Sequence, residues 1–93
     1  MMVVEYDPAK SAKNIQDRNL AFDRARDLDW NSTQIRPDDR HDYGEQRWIA
    51  LGLLDGRLHV LVFTETMAGI RVISFRKANA RERSAYEQAQ ATD

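Results

Sequence analysis

The sequence predicts a single α+β domain in which an antiparallel sheet is flanked by helices, in the order β-α-α-β-β-β-α. Three observations lead to this prediction: an Asp-Pro pair that opens a helix near the N-terminus, three apolar runs separated by turn signals in the second half, and a capping pattern after the last run. With 93 residues the chain has enough material for one hydrophobic core. We therefore expect one domain over residues 1–93.

The N-terminal elements are predicted from local signals. Residues 3–6 combine valines with a tyrosine, which favours a short first strand. Asp7 is a favoured N-cap, and Pro8 suits the first helical position, where its missing N–H would have had no partner. A helix is expected over 8–18, with Asn19 ending it in the left-handed conformation.

The segment after this helix carries fewer signals. Apolar side chains recur at near-helical spacing in residues 20–28, which indicates a second short helix. The polar stretch that follows allows a strand over 30–35, which the predicted order leaves out. Pro37 and the three charged residues after it are typical of a turn over 37–40.

The second half of the chain is predicted to form three antiparallel strands. Because the runs are rich in apolar residues and bounded by turn signals, strands are expected over 46–53, 58–64 and 70–75. Asp55-Gly56 predicts a two-residue hairpin between the first two strands. Residues 67–69 predict a turn between the last two.

A capping pattern begins the last helix, which is expected over 79–90. Asn79 and Glu82 stand at the N-cap and N3 positions, as in a capping box. Strict alternation along the preceding strand places residues 70, 72, 74 and 76 on one face and residues 71, 73, 75 and 77 on the other. Neither face is wholly polar. We therefore expect both to be partly covered, one by helices and the other by the last helix or by a partner.

Composition excludes several classes of protein. Hydrophobic residues make up 42% and charged residues 31% of the chain, which indicates a folded, highly charged domain rather than a disordered one. The chain has no cysteine, and no apolar run approaches the roughly 18 residues of a membrane span, so neither disulfides nor membrane contact is expected. The first residues lack the features of a secretory signal, and a cytoplasmic location is expected.

The charges are unevenly distributed although their sum is only −1. Residues 27–45 hold six acids and two bases, whereas residues 71–83 hold five bases and one acid. Within the basic segment, Arg76 and Lys77 come at the exit of the last strand. Such a cluster attracts phosphate, and the alternative is that its cations are only solvated or bind a partner.

A basic cluster with a tyrosine and without metal ligands is what cleavage of RNA through its 2′-hydroxyl would need, although such a cluster alone does not identify that reaction. That reaction needs a base for the 2′-hydroxyl, an acid for the leaving 5′-oxygen, and cations for the charge that develops on the phosphorane. The acidic run around His41 does not predict a metal site, because adjacent residues in a turn rarely converge on one ion. His59 alternates with apolar residues on a strand, which favours a packed or edge histidine over a catalyst. No cofactor or metal is expected.

Several segments of the sequence resemble the BrnT family of toxins. The matching residues are, in order, Tyr6-Asp7-Pro8, Lys10, Asn14, Phe22, Asp38-Asp39-Arg40, Gly44-Glu45, Arg47, Leu51-Gly52, Gly56-Arg57, Arg71-Val72-Ile73-Ser74, Arg76-Lys77-Ala78, Glu82-Arg83 and Tyr86. They follow one another in the family's order and span nearly the whole chain. At residues 17–19 the chain departs from the pattern, because Asp-Arg-Asn stands where the family commonly has Lys-His-Gly.

The resemblance implies both an activity and a partner. It implies a RelE-like fold and the toxin of a type II toxin–antitoxin system, an endoribonuclease that inhibits translation. It also implies a cognate BrnA antitoxin, a DNA-binding ribbon–helix–helix protein, in an assembly of two toxins and two antitoxins. The chain itself would contact RNA, and DNA only through the antitoxin.

The candidate catalytic groups lie among six residues, which are Arg47, Arg57, Arg76, Lys77, Arg83 and Tyr86. Arg76 and Lys77 are expected to contact phosphate and to stabilise the transition state, with Arg83 as a further contact. Tyr86 is expected to orient the substrate or to transfer a proton. Replacement of Arg76 by alanine is accordingly expected to slow cleavage roughly a hundredfold, the scale of losing one oxyanion donor.

Structural alternatives exist for three of these residues and for the activity. Arg47 and Arg57 have acidic neighbours in Glu45 and Asp55 with which they could form salt bridges. Tyr86 could pack a helix against the sheet. The alternative function is a catalytically inactive binding module that acts only as a co-repressor with its antitoxin.

Overall fold

The computed structural model describes residues 2–91. Its regular elements are β1 (Val3–Glu5), α1 (Pro8–Arg18), a 3₁₀ helix (Phe22–Asp27), β2 (Gln34–Pro37), β3 (Trp48–Leu54), β4 (Arg57–Glu65), β5 (Gly69–Lys77) and α2 (Ala80–Ala91). The α+β class and the three antiparallel strands of the second half are confirmed. The predicted element order is wrong because it lacks β2, and the likeness to RelE-type toxins stays a prediction.

Local signals set the ends of α1 and of the β3–β4 hairpin as predicted. The Asp7 carboxylate accepts a hydrogen bond from the backbone N–H of Ala9 at 2.9 Å. Asn19 closes the helix in the left-handed conformation, with φ 55° and ψ 39°. Asp55 and Gly56 have φ values of 52° and 77°, the positive values that a type I′ hairpin turn requires.

The five strands form one mixed sheet in the order β1-β5-β4-β3-β2. Strands β2 to β5 run antiparallel to their neighbours, but β1 pairs in parallel with β5, so that Val4 lies opposite Ile70. The prediction of a purely antiparallel sheet is therefore wrong for β1, because a three-residue strand carries no local signal for its distant partner. Gly69 permits this pairing, since a Cβ at that position would collide with the carbonyl oxygen of Val3.

Strand β2 begins at Gln34, later than the strand over 30–35 that the sequence allowed. Asp29 accepts hydrogen bonds from the hydroxyls of Ser32 and Thr33 at 2.9 and 2.8 Å, which holds the chain in turns up to residue 33. The strand then continues into Pro37, which was predicted to lie in a turn. Proline is tolerated there because β2 is an edge strand.

The predicted second helix is a 3₁₀ helix rather than an α-helix. The N–H of Leu28 donates to the carbonyl of Ala25, three residues earlier, as 3₁₀ geometry requires. The same carbonyl accepts a bond from the indole N–H of Trp30 at 3.2 Å. The Trp30 ring then packs edge-on against Phe63, with 5.9 Å between ring centroids, which anchors this segment to the sheet.

Elements outside the sheet cover both of its faces. On one face the residues after α1 pack into a core that includes Leu20, Phe22, Ala25, Leu61, Phe63 and Phe75. On the other face α2 covers a second core that includes Ile49, Leu58, Val60, Val62, Ala78 and Tyr86. The expectation that both faces are covered, the second by the last helix, is confirmed.

A β-bulge in β5 changes which of its residues share a face. Phe63 lies opposite Val72, and the next pair along the two strands skips Ile73. Beyond this extra residue the alternation is reversed, and Phe75 lies in the same core as Val72. Ile73 itself still packs on the α2 side, as predicted, so the predicted division of faces is wrong from residue 74 onward.

Candidate functional site

The end of β5 meets the start of β4 at one end of the sheet. His59 lies opposite Lys77, and Val60 lies opposite Arg76. The ring of His59 packs on Phe75, which belongs to the core below the 3₁₀ helix, whereas Val60 belongs to the core beneath α2. Because paired residues of an antiparallel ladder share a face, Arg76 and Lys77 face opposite sides of the sheet.

A cavity of about 340 Å³ lies on the Lys77 side, where the β3–β4 hairpin meets the end of α1 and the 3₁₀ helix. We call it the hairpin cavity. The side chains that give it its charge are Arg18, Arg24, Asp55, Arg57, His59 and Lys77. The cavity therefore joins three separate parts of the sequence: the end of α1 with the 3₁₀ helix, the β3–β4 hairpin, and the end of β5.

Three of the four cations in the hairpin cavity have no side-chain partner among residues 2–91. Arg24 is bound to Asp55 at 3.1 Å and to Asp27 at 2.9 Å, so that two carboxylates share its charge. Within residues 2–91, no hydrogen bond or ion pair holds the side chains of Arg18, Arg57 and Lys77. The alternative in which Arg57 bridges Asp55 is not observed, since Arg24 occupies that carboxylate.

His59 combines burial with a position at the hairpin cavity. It is only 4% exposed, and its ring centroid lies 5.6 Å from that of Phe75. The ring nitrogen Nδ1 lies 2.7 Å from the carbonyl oxygen of Arg57. Burial lowers the pKa of His59 below its usual 6.5, and the nearby charges of Lys77 and Arg57 lower it further. The prediction of a packed histidine is confirmed, but the packing also places the ring beside unpaired cations.

Arg76 is held on the opposite face by the first turn of α2. Its guanidinium donates two hydrogen bonds to the Glu82 carboxylate, at 2.9 and 2.8 Å. Glu82 also accepts from the backbone N–H of Asn79 at 2.9 Å, while Asn79 accepts from the Glu82 N–H at 2.8 Å, which confirms the predicted capping box. Arg83 follows, half-buried. The charge of Arg76 is thus balanced within the chain, and its pairing stabilises the start of α2.

Acid is expected to weaken the fold through Glu82. The hydrogen bonds from Arg76 are the main cause that lowers the pKa of Glu82 from 4.5 to about 2, so the unfolded chain binds more protons between these two values. The stabilisation is therefore complete above pH 4.5 and is lost as the pH falls toward 2. Because both side chains are partly exposed, we expect about 1–2 kcal/mol rather than the full equivalent of the shift.

Urea unfolding at pH 7 and pH 3 measures this loss, with Glu82→Gln as the matched variant. Asp38 also has a pKa lowered to about 2, chiefly by its hydrogen bond from Arg40, and titrates in the same range. The parent should therefore lose more stability between the two pH values than Glu82→Gln does. An equal loss in both proteins would show that the Arg76–Glu82 pair contributes nothing.

Tyr86 and Arg47 are engaged in contacts that hold the fold together. Tyr86 is 7% exposed, and its hydroxyl donates to the backbone carbonyl of Ser32 at 2.7 Å. Arg47 donates to Glu45 at 3.1 Å, and its guanidinium lies 4.0 Å above the ring of Tyr43. The structural alternatives for these two residues, a packed helix and a salt bridge, are both observed.

The acidic residues before β3 form hydrogen bonds with groups close to them in the sequence. Asp38 binds the guanidinium of Arg40 at 2.7 and 2.8 Å, and Asp42 accepts from the N–H of Gly44 at 3.0 Å. Across the described residues, 2–91, no group of three or more His, Cys, Asp or Glu side chains is placed to hold a metal ion. None of the helices within that part of the chain is long and apolar enough to cross a membrane.

These features define a small α+β domain with a cationic cavity, the kind of surface that attracts polyanions. The sequence matches the family model described as the BrnT ribonuclease toxin of type II toxin–antitoxin systems, over residues 6–82. Since this match covers most of the chain, the protein belongs to the BrnT family of ribonuclease toxins. No curated protein sequence matches the chain.

The six predicted residues are thus divided among separate places. Arg57 and Lys77 meet at the hairpin cavity, Arg76 and Arg83 lie with α2, and the other two support the fold. The sequence analysis did not include His59 among the candidate catalytic residues. What places His59 beside Lys77 is their pairing between neighbouring strands, which the sequence does not reveal. Arg18, within the segment that departs from the family pattern, lines the same cavity.

Proposed function

We propose that this protein is a toxin that cuts RNA without a metal ion, inhibits translation in the cytoplasm, and is neutralised by a ribbon–helix–helix antitoxin of the BrnA type. The family match supports ribonuclease activity. The observation that supports cleavage without a metal ion is the hairpin cavity, where Arg18, Arg57 and Lys77 have no carboxylate partner within residues 2–91. Cations of this kind stabilise the charge of a phosphorane transition state without a metal.

The two groups of cations suggest different roles. Arg57 and Lys77 are proposed to contact the phosphate that reacts, because their charges are available at one cavity. Arg76 and Arg83, on the α2 side, are proposed to contact neighbouring phosphates of the RNA. Since Glu82 balances the charge of Arg76, its contribution to the transition state is expected to be smaller than that of Lys77.

The partner is proposed to be an antitoxin in an assembly of two toxins and two antitoxins. In this arrangement the toxin contacts DNA only through the ribbon–helix–helix protein, which binds the operator. Membership of a type II toxin–antitoxin family supports an antitoxin partner.

A second candidate is an inactive module that serves only as co-repressor. It is favoured by the number of arginines whose charges are balanced within the chain, since Arg40, Arg47 and Arg76 each bind a carboxylate. The overall charge of −1 also gives little general attraction to RNA. Under this proposal the protein would bind its antitoxin without cutting RNA.

Induced expression separates the two candidates. The chain expressed alone should arrest growth and fragment cellular RNA, and co-expression of the ribbon–helix–helix protein from the adjacent gene should restore both. An inactive co-repressor would leave growth and RNA intact when expressed alone, yet would increase binding of the antitoxin to operator DNA.

A further inference from the structure

We infer that the hairpin cavity binds one phosphodiester of RNA and that Nε2 of His59 accepts the proton of the attacking 2′-hydroxyl. This inference rests on the proposed function and adds to it the place of the reaction and its base. Four observations support it: the tautomer of the ring, the charges around it, its burial, and the size of the space that it lines.

The backbone fixes the tautomer of His59. A carbonyl oxygen only accepts hydrogen bonds, so Nδ1, 2.7 Å from the Arg57 oxygen, carries the hydrogen, and the lone pair of the neutral ring is on Nε2. In the described part of the chain Nε2 has no partner, and no fully buried side-chain nitrogen there lacks one, so Nε2 reaches solvent. The space that His59 lines is the hairpin cavity.

The charges around the ring suit a phosphodiester. Arg18, Arg57 and Lys77 bring three positive charges from α1, β4 and β5, and within residues 2–91 none of the three is neutralised by a carboxylate. One phosphodiester carries a single negative charge, which these cations would bind while leaving positive charge for the second negative charge of the phosphorane. The volume of about 340 Å³ is at the low end for ligand pockets, which suits a phosphate with its sugar rather than stacked bases.

The surroundings keep the ring neutral near pH 7. Burial is the main cause that lowers the pKa of His59, and only the hydrogen bond to the backbone at Arg57 and the charge of Asp55 oppose it. The charged groups that face the ring from the elements packed against it are Arg18, Arg24, Asp55, Arg57 and Lys77. A neutral imidazole with a fixed lone pair is the form that accepts a proton.

The reaction balances without an added oxidant or metal. The 2′-hydroxyl transfers its proton to Nε2 while its oxygen forms a bond to phosphorus, and the bond from phosphorus to the 5′-oxygen breaks. Water in the cavity protonates the leaving 5′-oxygen, and the hydroxide so formed takes the proton back from His59. The products are a 2′,3′-cyclic phosphate and a 5′-hydroxyl.

Cleavage of a short RNA oligonucleotide by His59→Gln tests the inference, with His41→Gln as the matched control. Glutamine keeps a hydrogen-bonding side chain but cannot act as a base, so we expect cleavage to be about a hundredfold slower or more. The rate of the parent should fall as acid protonates His59, at a pH below the usual 6.5 because burial lowers its pKa, and His59→Gln should lack that dependence. His41, exposed on the loop before β3, should be replaceable without effect. A folded His59→Gln protein that cuts at the parental rate would overturn the inference.

A binding measurement on the parent protein covers the case in which the variant does not fold. The same oligonucleotide with 2′-deoxyribose at the cleaved position cannot react but keeps its phosphates. Its addition should shift the NMR signals of the His59 ring and leave those of His41 in place. Unshifted His59 signals at saturating oligonucleotide would also overturn the inference.

The same experiments distinguish failure of the inference from failure of the proposed function. If the parent cuts RNA and His59→Gln cuts equally well, only the inference fails. If the parent cuts no RNA in any condition, the proposed function fails, and His59 is not a base for this reaction whether or not its signals shift.

Discussion

Replacement of Lys77 by alanine is expected to lower the rate of RNA cleavage about a hundredfold or more. Lys77 is exposed and lies opposite His59 in the β4–β5 ladder, and no partner within residues 2–91 holds its ammonium group. The variant should fold like the parent, because the side chain is outside both cores. Single-turnover cleavage of an RNA oligonucleotide, with urea unfolding as the check on folding, measures the effect.

The two arginines of β5 serve as comparisons for Lys77. Arg71→Ala removes one charge from the same strand, far from the hairpin cavity, and should cut RNA at nearly the parental rate. Arg76→Ala tests the role that the sequence pattern assigned to Arg76, although loss of its pair with Glu82 also weakens α2. If Arg76→Ala remains folded and loses far more activity than Lys77→Ala, the reaction takes place on the α2 side instead.

Replacement of Phe75 by alanine is expected to lower the free energy of unfolding by about 3–5 kcal/mol. Phe75 is 1% exposed, lies opposite Leu61 at the centre of the sheet, and supports the ring of His59. Its removal would leave a cavity in the core and a buried histidine without its aromatic neighbour. For a domain of this size such a loss is a large fraction of the total stability, so the Tm should fall strongly.

Ile35→Ala is the matched control for this experiment. Ile35 is on edge strand β2 and is 50% exposed, so its truncation should change the free energy of unfolding by no more than about 0.5 kcal/mol. Urea denaturation of both variants gives the comparison. A loss below about 1 kcal/mol for Phe75→Ala would mean that the core relaxes around the missing ring, contrary to its position in the structure.

The parts of the fold that the sequence predicted well depend on neighbouring residues. Asp7, Pro8 and Asn19 fix both ends of α1 within the helix's own sequence, and Asp55-Gly56 defines the hairpin in the same way. The capping box at α2 spans only four residues. Such elements are predictable because the groups that satisfy their free N–H and carbonyl groups are close by in the chain.

The parts of the fold that the sequence analysis did not predict depend on residues that are distant in the sequence. The parallel pairing of β1 with β5 needs a partner more than sixty residues away, and the bulge at Ile73 follows from register with β4. The candidate site was divided for the same reason: Arg76 and Lys77 are adjacent in sequence but face opposite sides. His59 lies beside Lys77 only because β4 pairs with β5 in this register. The alternation of residues within one strand does not predict that register.

End-group analysis of RNA cut by the purified protein in excess EDTA tests the central claim most directly. Metal-independent cleavage through the 2′-hydroxyl predicts that cutting persists in the chelator and leaves 2′,3′-cyclic phosphate and 5′-hydroxyl ends. A single 2′-deoxyribose at the cleaved position should abolish it. Cleavage that stops in EDTA and returns with a divalent ion, or that leaves 5′-phosphate ends, would contradict the account.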